Sequence, residues 1–154
     1  MLFNLLKTLH VLAMVIWVGG MFFAYMALRP VAAQWLELPL RLQVWTQVFK
    51  KFFPWVWLAT VTLLITGLLM IYLYGGMAHV QWHVHLMLLT GLIMMTIFIH
   101  LFFISYRHLQ DAVAMQNWQI GATRLGQIRR LIGINLVLGL VTIVVATLGK
   151  TLFM

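Results

Sequence analysis

The stretch HVHLMLLTGLIMMTIFIHLFFISY, residues 83–106, runs for 24 positions without a lysine, arginine, aspartate or glutamate. A helix needs roughly 20 apolar residues to cross the hydrocarbon layer of a bilayer. The apolar character is continuous rather than alternating, which excludes a strand of a transmembrane β-barrel. Three more runs have the same character: Leu5–Leu28, Phe52–Tyr74 and Leu131–Gly149. Four spans and their connections use up the chain. The expected fold is all-α, one transmembrane domain over residues 1–154, a four-helix bundle running up-down-up-down.

Composition agrees. Of 154 residues, 64% are hydrophobic and 8% charged, with mean hydropathy +1.04; a water-soluble domain carries about 25% charged residues. The absence of cysteine removes thiolate metal sites, catalytic thiols and disulfides. The net charge of +8 comes from basic residues placed between the apolar runs. It reads as topology-setting charge in contact with anionic lipid, not as a nucleic-acid surface. The two acids, Glu37 and Asp111, fall in connections, so hydrolysis by paired carboxylates is not expected.

Orientation follows from lysine and arginine. Arg29, Arg41, Lys50 and Lys51 separate runs one and two; Arg107, Arg124, Arg129 and Arg130 separate runs three and four; the opposite side holds Lys7 and Lys150. By the positive-inside rule both termini and the Gly75–Trp82 connection face outward, to the periplasm of a bacterial inner membrane. The first run is too long for the core of a cleaved leader and reads as a retained span. Residues 31–51 suggest an amphipathic helix at the headgroups, broken at Pro39. Pro54 is expected at the start of run two, with Trp55 and Trp57 as interfacial anchors. A break is expected near Asn117. Asn135, Gly139, Thr142, Ala146 and Gly149 form one helix face of small and weakly polar residues, which suits close packing between helices. Thr60, Thr66 and Gly67 on run two suit the same role.

Six histidines are the main chemical signal, because ionisable side chains inside a membrane are costly and commonly functional. His10, His79, His83 and His85 cluster at the outer face, whereas His100 and His108 lie further in. His79 and His108 read as interfacial. His10, Met14, Trp17 and Met21 share one face of run one, and His83 and Met87 share a face of run three. Imidazole with thioether suits Cu(I), a soft ion; methionine in an apolar chain is equally a packing residue. His83 and His85 point to different sides of their helix.

The first run reads Lys7-Thr-Leu-His10, then Trp17-Val-Gly19-Gly20. This resembles the copper-resistance D family of inner-membrane proteins, and the first helix is also similar to protoporphyrinogen oxidases of the HemJ type. The WHVH stretch of Trp82–His85, followed by a methionine-rich span, looks like short stand-alone CopD-like members. The resemblance marks Lys7, His10, Trp17 and Gly20. It implies copper handling beside a periplasmic partner or, on the HemJ side, a haem-binding histidine.

Two functional readings are left open. In the first, His10, Met14, His83, His85 and Met87 bind copper at the periplasmic face and pass it inward. In the second, His10 with His83 or His85, or less readily His100, ligates haem b in a redox enzyme or electron carrier. The expected partners are the lipid bilayer, a periplasmic copper protein or redox partner, and a second copy of the chain, with no nucleic acid. A purely structural role is the third alternative.

Overall fold

The computed structural model describes residues 1–149. Four helices are long and apolar enough to cross a membrane: α1 (Leu2–Trp35), α2 (Leu38–Leu73), α3 (Trp82–Ala114) and α4 (Trp118–Leu148). The all-helical bundle matches the sequence expectation. Neighbouring contacts fix the registers. In α1 and α2, Phe3 meets Tyr74, His10 meets Thr66, and Gly20 lies against Phe52, so the two run antiparallel. In α3 and α4, His83 lies beside Gly149, Thr90 bonds Thr142, and Met94 meets Asn135. Val18 and Tyr25 of α1 sit level with Gly139 and Gly133 of α4 and join the two hairpins.

The helices are longer than the apolar runs. They hold 34, 36, 33 and 31 residues, or about 45–55 Å at 1.5 Å per residue, against a hydrocarbon layer of about 30 Å. The excess lies at the basic end. There is no separate amphipathic helix at the headgroups: α1 runs on to Trp35 and α2 starts at Leu38. Pro39 does not break a helix. It occupies the first turn of α2, where its missing N–H has no partner to lose. Pro54 lies inside α2 instead of at its start. Trp55 is exposed as expected of an anchor, but Trp57 turns inward and packs edge-on against Phe98 and Phe102.

Two physical regimes hold the bundle. In the basic extension Leu42, Leu109 and Ile128 are fully buried and Gly121 lets Leu42 approach. This is a small core of the kind found in water-soluble bundles. Above it Phe49, Phe53, Phe98, Phe102 and Tyr106 interlock across α2 and α3, with Phe49 and Phe53 stacked at 5.0 Å. The Tyr106 hydroxyl donates to the Thr46 carbonyl at 3.2 Å. Within lipid, association depends on such packing and on small residues, since the surroundings are as apolar as the side chains. The face bearing Asn135, Gly139 and Gly149 is buried as expected. A Cβ on Gly139 would stand 2.9 Å from a Val18 methyl and 3.2 Å from the Met94 methyl.

The connections are short. Gly75 and Gly76 both have φ of +95°, a region that penalises any Cβ. Gln116 takes φ of +53° in the turn between α3 and α4, and the Asn117 side chain caps α4 by accepting from Ile120 N–H. That is the expected break. Both α1 and α3 contain a π-helical segment, Ala24–Leu28 and Leu101–Tyr106.

Candidate functional site

At the end of the bundle away from the arginine clusters, His10 is half-buried between α1 and α2. Its Nδ1 lies 2.8 Å from Thr66 Oγ1, and Gly67 leaves room for the ring. Thr66 Oγ1 also lies 2.6 Å from the Thr62 carbonyl. A hydroxyl has one proton, and a carbonyl can only accept. When the Thr66 proton points to Thr62, His10 Nδ1–H donates to Thr66 and Nε2 carries the lone pair; when it points to His10, Nδ1 accepts and Nε2 carries the proton. An imidazole whose Nδ1–H is held by a neighbouring oxygen is the usual form of a metal-ligating histidine.

His83 is 6% exposed, at the start of α3. Its Cβ would be 2.8 Å from a Cβ on Gly149, so the last residue of the small-residue face makes room for it. The Trp82 ring stands edge-on, with centroids 6.2 Å apart. His83 Nδ1 is buried with no hydrogen-bond partner. A buried polar atom without a partner costs several tenths to a few kcal/mol and calls for an explanation such as a ligand. His85, two residues on, is exposed. The side of α3 facing the bundle is thus that of His83, Met87 and Met94.

The remaining residues sort as follows. Met14 and Met87 are half-buried one turn inward of His10 and His83, while Met21 and Met94 are buried deeper. His100 and His108 are exposed. His79 is exposed, with Nδ1 at 2.9 Å from the Gly75 carbonyl. Lys7 is exposed one turn outward of His10, and Lys150 lies outside the described residues. Val18 of α1 and Met94 of α3 meet at Gly139, and counting outward from them sets His10 at the depth of the first turns of α3, which carry His83, His85 and Met87. Among the described residues no three histidines, aspartates or glutamates are grouped as a metal site. Glu37 and Asp111 are exposed at the opposite end. Among the described residues no acidic side chain lies beside His10 or His83 to meet a cation.

Two partners escaped sequence reasoning. Thr66 reads as a packing residue, and only the α1–α2 register brings it to His10. The Thr90–Thr142 bond, 2.8 Å between hydroxyls, fastens α3 to α4 two turns inward of His83. The available signal was the spacing of the small-residue face, which names Thr142 but not its mate.

Neither the curated proteins nor the solved structures gave a match to this chain. The family described as copper resistance protein D matches residues 46–148. That stretch contains α3, α4 and most of α2, with His83, His85 and Met87. The Lys7–Gly20 motif that carried the resemblance lies ahead of it. With more than half of its length matched, this membrane-spanning chain belongs to the copper resistance protein D family.

Proposed function

We propose that the protein binds Cu(I) in the outer half of its bundle and passes it inward. His10 and His83 supply nitrogen, Met14 and Met87 supply sulfur, and exposed His85 meets the ion first. The observation that carries this reading is the buried, unpartnered Nδ1 of His83. The contact of His10 Nδ1 with Thr66 supports it, since it leaves Nε2 as the nitrogen to meet a metal. So does the donor chemistry. A site without carboxylate, flanked by Lys7, disfavours hard or multiply charged ions, whereas imidazole and thioether suit a soft monovalent one. Inward of the site, buried Met94 and Met21 offer further thioethers. On this reading the outer face is periplasmic and receives copper from a soluble carrier there.

The test is anaerobic titration of the purified protein with Cu(I) against a chromophoric chelator, with the visible spectrum recorded. One Cu(I) per chain and no Soret band are expected, with loading lost in His83→Ala and His10→Ala. Undiminished loading in His83→Ala would overturn the site. A Soret band would reassign both imidazoles to haem b.

A further inference from the structure

A cavity of 290 Å³ is lined by all four helices, well inward of the histidines. Its lining passes from exposed Phe23 and half-buried Phe52 to buried Trp17 and Asn135. It therefore leads from the lipid-facing surface to the bundle axis. At its wall Gly20 lets the Phe52 ring lie directly against α1, since a Cβ there would run into that ring.

Three features mark it as built for a ligand. Asn135 is 2% exposed. Its Nδ2 is committed to the Met94 carbonyl at 3.1 Å, but its Oδ1 is buried without a partner. Both π-helical segments reach the cavity, the first through Ala24 and Leu28 and the second through Leu101. Such segments are rare and occur mostly at functional sites. Six of the other eleven lining residues are aromatic, which favours a flat ring.

The chemistry selects the occupant. A buried water needs two to four polar partners, and this cavity offers one orphaned acceptor. Benzene fits an apolar cavity of about 150 Å³, so 290 Å³ admits a substituted ring. The orphan is an oxygen, so the ring must donate. A lipid-facing mouth suits a molecule that arrives through the bilayer with its tail trailing outward. We propose that this cavity binds the head group of a membrane-dissolved quinol, its inner wall shifting to let a ring hydroxyl donate to Asn135 Oδ1, which is closed off in this structure. The oxidised quinone presents only carbonyl oxygens, which Asn135 Oδ1 repels, so the reduced form is preferred.

The probe is decyl-tailed trimethylhydroquinone, titrated calorimetrically into the full-length protein in detergent and compared with the corresponding quinone. Saturable binding at one per chain is expected, about tenfold tighter for the reduced form, as one hydrogen bond to a buried acceptor allows. Asn135→Leu should erase the preference between forms. Ala24→Phe should fill the cavity and abolish binding of both, while Cu(I) loading stays unchanged. Equal affinity of the wild type for the two forms would overturn the proposal without recourse to any variant. Absence of saturable binding, or binding only of the tailless ring, would do so as well.

Discussion

Replacing Thr66 by valine removes one oxygen and keeps the shape of the side chain. In the wild type that oxygen lies 2.8 Å from His10 Nδ1 and 2.6 Å from the Thr62 carbonyl; in the metal-binding tautomer it accepts from Nδ1–H and donates to Thr62. Valine leaves Nδ1–H without its partner and frees the ring to rotate or to change tautomer. Thr62 loses only a supplementary donor. Groups that hold a metal-binding histidine through its second nitrogen are worth about 10–100-fold in metal affinity. His10 is half-buried rather than enclosed, so other partners can take over part of the loss. We therefore expect Cu(I) affinity to fall about tenfold, equivalent to about 1.4 kcal/mol, with little change in thermal stability. Thr66→Ser restores the oxygen and should return affinity to within about threefold of wild type. Chelator competition on the three proteins measures this directly. Thr66→Val within twofold of wild type would refute the tautomer argument, as would an equal loss in Thr66→Ser.

Gly139→Leu should destabilise the bundle by about 1–3 kcal/mol or prevent assembly, because Val18 and Met94 already occupy the space; thermal melting in detergent reads it, and an unchanged midpoint would contradict the packing. Leu109→Ala, in the basic extension, should cost about 2–5 kcal/mol, and chemical unfolding should show the loss even though this residue lies far from the histidines. Cysteines introduced at Leu2 and at Glu37 should behave oppositely toward an impermeant maleimide on intact cells, the first labelling and the second not, and the reverse pattern would invert the proposed orientation.

The four helices were legible because a membrane makes hydropathy nearly decisive: unsatisfied backbone in hydrocarbon is so costly that long apolar runs become helices. Helix ends were not legible, because hydropathy reports where lipid stops and not where the helix stops. Residues 38–51 look interfacial in isolation, yet Leu42, Trp45 and Phe49 find Leu109, Ile128 and the α3 aromatics and continue α2 inward. Trp57 misleads for the same reason, since tryptophan near a span end serves an interface or a core equally well. The face carrying Asn135 and Gly139 was readable from spacing alone. Which of His83 and His85 turns inward was not, because the two flank a helix with little amphipathic contrast; Gly149 decides it, and its approach to His83 is a tertiary fact. The cavity beside Asn135 was equally invisible, although Trp17 and Gly20, which line it, stand in the motif that first drew attention to α1.

On the proposed reading, histidine and methionine from α1 and α3 hold one copper ion together. X-ray absorption at the copper edge of the Cu(I)-loaded protein tests it most directly. Imidazole nitrogen and thioether sulfur are expected around the copper, at about 2.0 and 2.3 Å by analogy with zinc ligands, with the nitrogen contribution reduced in both His10→Ala and His83→Ala. A shell of light atoms alone, or one unchanged by either substitution, would contradict it.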